Sequence, residues 1–281
     1  MDDVGIEYQT VLGYPPVEFV HLAADLGCHA ISMKARTGPY NAANPYGYGD
    51  FSFLDDVGAR RQMAAALQER AVAISLAEGF VVTPGADLTD DLASLDVMGE
   101  LGATRANVVT MDADLPRSFD QFAAFAEAAA DRGLQTTREF AKSLALTDLE
   151  TAVTAVRYVG RPDFRLLIDT MHVVRSGSTA ADLAALDSSL FGYVQLSDST
   201  LEQRGAAYRD DSSDRLPPGA GELPLVDIML ALPASLPVGV EVPMRSRATA
   251  GVSAQACARL AVEGARSVLA RVGARREDSA K

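Results

Sequence analysis

The sequence has little cysteine and lacks any long hydrophobic run. Only two cysteines, Cys28 and Cys257, occur in 281 residues, which is too few for a disulfide framework, and they lack the paired spacing of a zinc or redox motif. No stretch of about 18 apolar residues is found, and the residues from Met1 to Gln9 are acidic where a signal peptide needs positive charge. We therefore expect a soluble protein of the reducing cytoplasm, without a membrane partner.

Positive charge is also scarce. Lys and Arg number 25 against 38 Asp and Glu, which gives a formal net charge of −13. Such a chain would repel a phosphate backbone, and it offers no basic stripe to offset that repulsion. Nucleic acid is therefore excluded as an expected partner.

Short apolar runs, rich in Val and Ile, alternate with longer Ala and Leu segments of helical period. The predicted strands are Val4–Thr10, His29–Met33, Val72–Leu76, Arg105–Thr110, Gln135–Phe140, Arg165–Asp169, Gly192–Leu196 and Val238–Val242. The predicted helices are Val17–Leu26, Ala59–Glu69, Asp87–Leu101, Phe119–Arg132, Asp148–Val159, Ala180–Leu186, Leu225–Leu230 and Ala254–Val272. This rhythm predicts one (β/α)₈ TIM barrel over residues 1–272, followed by a solvated tail at residues 273–281.

A doubly wound open sheet would show the same alternation. Two observations favour the barrel. No Gly-x-Gly-x-x-Gly follows the first strand. Polar residues stand at the ends of many different strands, as they do in barrel active sites.

Four predicted strands end in an oxygen donor that can bind a metal ion: Glu139, Asp169, Gln195 and Glu241. Parallel strands place these ends in one ring, where close carboxylates would repel one another without a cation. Three carboxylates and an amide carbonyl suit Mn²⁺, Mg²⁺ or Co²⁺. For any one acid, a salt bridge or a helix cap is an equal alternative. The set predicts a site for one divalent metal ion.

Four segments, taken in order, resemble the xylose isomerase-like barrel superfamily of sugar isomerases and epimerases. They are Asp169-Thr-Met-His172, Gln195-Leu-Ser-Asp198, Arg215-Leu-Pro-Pro-Gly-Ala-Gly-Glu222 and Glu241-Val-Pro243, and the likeness covers nearly the whole chain. The resemblance implies metal ligation by the four donors, with Glu139 and Glu241 also flanking the substrate as acid and base. It further implies that His172 and Arg215 bind substrate oxygens.

The sequence departs from its relatives at two places. Ketose 3-epimerases of the superfamily usually carry His at the position of Gln195, where Gln is similar to hydroxypyruvate isomerases. The second strand ends in Ser32-Met-Lys-Ala-Arg36, where many relatives have an acidic residue. The apurinic endonuclease relatives need a His-rich cluster of zinc ions, which three histidines cannot supply.

The reaction implied is metal-assisted proton transfer next to a carbonyl, through an enediolate, on a small sugar or hydroxy-ketone. An isomerase or epimerase is the leading interpretation. A metal-dependent dehydratase or lyase acting on a keto-sugar or keto-inositol, and a non-catalytic binding barrel, are the alternatives. The sequence leaves open whether the protein forms a homo-oligomer.

Several further residues have two interpretations each. Asp198 and Asp214 are expected to orient neighbours or to lie in a solvated loop, while Lys34 and Glu78 either line the pocket or are exposed. The Gly219-Ala-Gly221 stretch is expected to form a turn that brings Arg215 inward. An aromatic loop follows strand two and either closes over a ligand or packs on the barrel rim: Tyr40, Tyr46, Tyr48, Phe51 and Phe53.

Overall fold

Eight parallel strands close into a barrel in the computed structural model, which describes residues 4–37 and 44–279, apart from the side chains of residues 89 and 90. Each strand pairs with the next along the chain, and the eighth pairs with the first. The strands are β1 (Gly5–Ile6), β2 (Ala30–Lys34), β3 (Ala73–Val82), β4 (Arg105–Thr110), β5 (Gln135–Arg138), β6 (Phe164–Asp169), β7 (Phe191–Leu196) and β8 (Val238–Val240). The predicted (β/α)₈ barrel is confirmed.

Strand β3 runs well past its predicted end at Leu76. Its pairing register with β4 shifts between Ala77 and Phe80, and Gly79 lies in this interval with φ of 101°. Only glycine adopts this φ readily, so the bulge is encoded locally. The bulge occurs beside Glu78, at the carboxyl end of the barrel.

The helices are α1 (Pro16–Asp25), α2 (Val57–Arg70), α3 (Leu92–Glu100), α4 (Leu115–Ala130), α5 (Leu149–Val159), α6 (Thr170–Arg175), α7 (Ala180–Ala184), α8 (Tyr208–Ser212), α9 (Leu225–Ala231), α10 (Arg245–Thr249) and α11 (Ala254–Ser279). The short helices α6, α8 and α10 were not predicted, because one or two turns are too short to show a hydrophobic period. The start of the predicted helix Asp87–Leu101 is a 3₁₀ turn at Leu88–Asp91.

Side chains at the helix starts explain where several helices begin. Asp56, Asp114 and Asp148 each accept a hydrogen bond from a backbone N–H in the first turn of α2, α4 and α5. Each such cap stabilises its helix by about 1 kcal/mol. These aspartates fix the points at which the chain turns from loop to helix.

The predicted solvated tail at residues 273–281 begins as a continuation of the last helix. Helix α11 continues to Ser279, and the last two residues lie outside the described ranges. The guanidinium of Arg276 donates to the carbonyls of Met229 and Leu232, at 2.8 Å each. These bonds attach the last turns to α9, although most side chains there are exposed.

Two apolar clusters build the core. The larger one lies between the strands and the surrounding helices. The smaller one consists of Leu76, Leu167 and Tyr193, which come from β3, β6 and β7. Among the described residues, no helix has the length and apolar character needed to cross a membrane.

The aromatic loop packs against the barrel rim over its described part, which does not include Tyr40. Tyr46 donates to the carbonyl of Val252 at 3.0 Å, and the rings of Tyr48 and Tyr14 meet edge to face at 5.3 Å. Phe51 contacts Tyr8 in the same manner at 5.9 Å. These described side chains therefore pack on the barrel rim, which was one of the two interpretations of the loop.

Candidate active site

The predicted site residues form one connected cluster at the carboxyl end of the barrel. Asp169 is the last residue of β6, Gln195 lies in β7, and Glu139 and Glu241 directly follow β5 and β8. His172 and Arg215 complete the set, from α6 and from the long loop after β7. In a (β/α)₈ barrel this end carries the chemistry.

Asp169 is both a helix cap and an ion-pair partner. Its Oδ1 accepts the backbone N–H groups of Met171 and His172 at 2.8 and 3.0 Å, so it starts α6. Its Oδ2 accepts Nη1 of Arg215 at 2.5 Å. Burial raises the pKa of Asp169, but Arg215 and His172 outweigh burial and the net pKa lies below its ordinary value. The carboxylate is therefore ionised and fixed.

Arg215 joins the carboxylates of two strands. Its Nη1 also lies 3.0 Å from Oε2 of Glu241 and donates to Oγ of Ser197 at 3.1 Å. The side chain is only 3% exposed, so these charges are screened little by water. Burial lowers the pKa of Arg215, yet Asp169 and Glu241 bring it above its ordinary value.

The loop that carries Arg215 is organised by Asp198. The carboxylate of Asp198 accepts the backbone N–H groups of Gly219, Gly221 and Leu223 at 2.8 to 3.1 Å. Asp198 therefore orients its neighbours, as one of its two interpretations predicted. Asp214 similarly accepts the N–H of Ser246 at 2.8 Å, at the start of α10.

Glu139 and His172 form the opposite side of the cluster. Nε2 of His172 lies 3.3 Å from Oε1 of Glu139, and Nδ1 of His172 contacts the hydroxyl of Tyr208 at 2.5 Å. Nδ2 of Asn107 donates to Oε2 of Glu139 at 3.2 Å. The sequence analysis missed Tyr208 and Asn107; the signal for Asn107 is a lone amide within the apolar strand β4.

Glu78 belongs to the site as well. Its Oε1 accepts Nε2 of Gln195 at 3.2 Å, and its Oε2 accepts the hydroxyl of Ser32 at 3.1 Å. Nε2 of Gln195 also donates to Oε1 of Glu241 at 3.3 Å. An acidic residue from β3 thus contacts the polar end of β2, where the sequence itself has no acid.

Two carboxyl groups, those of Glu78 and Glu241, lie against the amide of Gln195. Burial raises the pKa of Glu78, with Lys34 acting against it and Glu139 adding to it. Burial also raises the pKa of Glu241 well above its ordinary value, although Arg215 opposes this. A cation is the species that would relieve the repulsion.

A further carboxyl group, Glu7, lies fully buried after β1. Its Oε1 accepts the hydroxyl of Tyr193 at 2.7 Å. A Cβ on Gly239 would lie 1.5 Å from this oxygen, so β8 needs glycine there. Burial, reinforced by Glu78, raises the pKa of Glu7 to about 8. The carboxyl group is therefore largely protonated at neutral pH.

The side chains present fit a divalent metal ion. Ligand atoms of Glu139, Asp169 and His172 all lie within 4.8 Å of one another. Oε1 of Gln195 is buried and has no hydrogen-bond partner among the described residues, which is the state of an acceptor available to a cation. Glu241 stands apart from the first three because Arg215 lies between it and Asp169. His172 thus lies directly beside the predicted donors.

The protein is therefore a TIM barrel with an enzyme-like site. Its eight parallel strands close into a barrel, and a cluster of carboxylates lies at the carboxyl ends of these strands. The chain belongs to the xylose isomerase-like TIM barrel family, whose family model matches residues 20–262. The resemblance stated from the sequence is confirmed. No curated protein matches the chain in sequence.

Solved structures share the fold over almost the whole chain. The IolI protein with a bound zinc atom is 17% identical, with a TM-score of 0.77 and coverage of 96% of this chain and 99% of that one. The D-psicose 3-epimerase of Clostridium cellulolyticum H10 with D-tagatose is 15% identical, with a TM-score of 0.68 and coverage of 96% and 98%. An L-ribulose 3-epimerase is 15% identical, with a TM-score of 0.73 and coverage of 100% and 99%. At these identities the likeness shows the fold.

Proposed function

We propose that this protein is a divalent-metal-dependent isomerase or epimerase that acts on a small sugar or hydroxy-ketone through an enediolate. The observation that carries the proposal is the position of Glu139 and Glu241. They come from β5 and β8, and they flank the cluster of Asp169, His172 and Arg215 from two sides. Two carboxylates so placed are what proton transfer at a carbon next to a carbonyl requires.

Each residue of the cluster has a proposed part. Glu139, Asp169, Gln195 and Glu241 would hold the ion, which we expect to be Mn²⁺, Mg²⁺ or Co²⁺. The ion would supply Lewis-acid stabilisation of the negative charge that develops on the substrate oxygens. One glutamate removes the proton and the other returns it. His172 and Arg215 donate to substrate oxygens and orient the reacting carbon between the glutamates.

The family and the known structures support this proposal. D-Psicose 3-epimerase and L-ribulose 3-epimerase share the fold, and IolI was solved with zinc. The natural metal and the substrate are proposals for this chain.

The test is exchange of substrate protons with solvent. Metal-loaded protein is incubated in D₂O with a panel of ketoses and hydroxy-ketones, and incorporation of deuterium next to the carbonyl is followed by NMR. We expect Glu139→Gln and Glu241→Gln each to lower turnover by at least about 100-fold, while Glu69→Gln, an exposed glutamate on α2, leaves it unchanged. If neither glutamate variant loses activity, the proton-transfer roles are wrong. If the wild-type protein exchanges no proton in any of these compounds, the proposed isomerase or epimerase activity is wrong.

A dehydratase is the second candidate. The contact between His172 and the hydroxyl of Tyr208, at 2.5 Å, places a phenol beside the cluster, and this group could protonate a hydroxyl expelled from the enediolate. Mass spectrometry distinguishes the two reactions, since dehydration lowers the product mass by one water and isomerisation leaves it unchanged.

A further inference from the structure

A cavity of about 410 Å³ opens beside the catalytic cluster. Its walls come from the segments that follow β5, β6 and β7: Lys142, Arg175 at the end of α6, and residues 201–203. The volume lies within the range of small-molecule sites, roughly 300–1,000 Å³. The cavity is thus large enough for part of a substrate.

Tyr208 connects this cavity to the proposed active site. The Tyr208 side chain lines the cavity, and its hydroxyl contacts Nδ1 of His172. The other ring nitrogen of His172 faces Glu139 at 3.3 Å. One side chain therefore separates the cavity from the residues that would handle the reacting carbon.

Arg175 makes hydrogen bonds with only some of its N–H donors. Its side chain is 6% exposed. All the hydrogen bonds it makes within the described part of the chain come from Nη2, including those to Asp211 and to the carbonyl of Glu202, both at 2.7 Å. Nε is buried and has no partner. Nη1 takes part in none of these hydrogen bonds and is not among the buried atoms, so its N–H donors remain available to a ligand in the cavity.

Asp211 holds Arg175 in place at the cavity wall through an ion pair of 2.7 Å. The carboxylate of Asp211 also accepts the backbone N–H groups of Arg204 and Gly205 at 2.9 and 2.7 Å. Because this buried pair has no net charge, Arg175 supplies oriented N–H donors to the cavity, and the net positive charge must come from another residue.

Lys142 adds a second cation. Its side chain is exposed, and none of the ion pairs within residues 4–37 and 44–279 includes it. The carboxylate of Glu202 also lines the cavity, but Glu202 is itself exposed and meets Arg175 through its backbone carbonyl. Lysine and arginine have donors and no acceptors, so they favour ligands rich in acceptor oxygens.

We propose that this cavity binds an anionic group of the substrate, a carboxylate or a phosphate, at the end remote from the reacting carbonyl, with Lys142 and Arg175 as its partners. The inference rests on the proposed function, because it assigns the ligand to the substrate of that site. It narrows the substrate from any small hydroxy-ketone to an anionic one.

The first experiment measures anion binding without turnover. Inorganic phosphate and acetate are titrated separately into the metal-free full chain by calorimetry. We expect saturable binding of at least one anion, weakened about fivefold or more in Lys142→Met and largely kept in Lys142→Arg, as expected for loss of one charge-assisted contact. Arg61→Met, which removes an exposed charge from α2, is the matched control. Absence of saturable binding, or equal affinity in wild type and Lys142→Met, overturns the proposal.

The second experiment decides whether the anion belongs to the substrate. KM is measured for a ketose and for its phosphorylated or carboxylated counterpart. We expect Lys142→Met to raise KM for the anionic compound about fivefold relative to the neutral one. If Lys142→Met weakens phosphate binding but moves both KM values equally, the cavity binds a separate anion and the substrate assignment is wrong. If no ketose is turned over, the proposed function fails, while the titration still decides whether the cavity binds an anion.

Discussion

Nη1 of Arg215 lies 2.5 Å from Oδ2 of Asp169. The same nitrogen lies 3.0 Å from Oε2 of Glu241, so one guanidinium contacts two of the four proposed metal ligands. A cation bound at Asp169 and Glu241 therefore experiences repulsion from Arg215.

Arg215→Met should tighten metal binding, because it removes this repulsion and leaves the carboxylates in place. We expect an increase in Mn²⁺ affinity of about tenfold, equivalent to about 1.4 kcal/mol, together with a loss of substrate binding. Calorimetric titration of the metal-free proteins measures the first effect. Arg245→Met, an exposed arginine on α10, serves as the control. Weaker Mn²⁺ binding in Arg215→Met would show that Arg215 supports the metal site.

Gln195 tests the ligand set, since its buried Oε1 has no hydrogen-bond partner in the part of the chain that the structure describes. Gln195→His supplies another neutral donor and should keep metal, with a preference shifted toward Co²⁺ or Zn²⁺. Gln195→Ala should lose metal affinity by about tenfold or more. Metal titration of both variants measures this. Unchanged affinity in Gln195→Ala, with a loss of about 1–3 kcal/mol in the free energy of unfolding, would instead make Gln195 a purely structural group.

Glu7 should make the stability of the metal-free protein depend on pH. Its pKa is about 8 in the folded state, against an ordinary value of 4.5, so the folded protein binds a proton that the unfolded chain releases. The stabilising contribution is complete below pH 4.5 and is lost as the pH rises through 8. From pH 5 to pH 8 we expect a loss on the order of 3 kcal/mol in the free energy of unfolding.

Urea unfolding at several pH values measures this loss. The Glu7→Gln variant keeps the size of the side chain and an acceptor for Tyr193, and it should abolish most of the loss. A wild-type slope equal to that of Glu7→Gln would contradict the assignment.

Arg138 is fully buried, and its Nε and Nη1 have no hydrogen-bond partner within residues 4–37 and 44–279. Only Nη2 donates, to the carbonyl of Glu139 at 2.7 Å, and burial lowers the pKa of Arg138 to about 9. Buried charges are costly, and replacing them by apolar side chains of similar size is often stabilising. We expect Arg138→Met to raise the free energy of unfolding by about 1 kcal/mol, measured in urea, and Arg138→Ala to lower it because of the cavity left behind. Destabilisation in Arg138→Met would show that the guanidinium has partners that compensate its burial.

The fold was predictable because most of the strands lie in short, mainly apolar runs, as is typical of buried parallel strands, although β5 reads Gln-Thr-Thr-Arg. Strand β4 was predicted at its observed bounds, Arg105–Thr110. The grouping of the candidate site residues was predictable for a related reason, because parallel strands bring the residues at their carboxyl ends together. That argument placed Glu139, Asp169 and Glu241 at one end of the barrel without any knowledge of side-chain contacts.

The missed parts depend on tertiary contacts. Whether Glu78 is exposed or lines the site depends on the bulge at Gly79, which a strand pattern does not reveal. Tyr208 and Asp211 lie on the short helix α8 within a long loop, where no periodicity indicates a direction. The pairing of Arg215 with Asp169 joins residues far apart in sequence. Helix α11 extends past Val272 because Arg276 bonds to α9, and charged residues alone suggested a tail.

Metal content measured together with proton exchange tests the central claim most directly. Elemental analysis of the purified protein should find about one ion of the Mn²⁺, Mg²⁺ or Co²⁺ type per chain. Chelation should abolish deuterium incorporation, and Mn²⁺ or Co²⁺ should restore it. Full proton exchange in a chelated protein that contains no detectable metal would contradict the account.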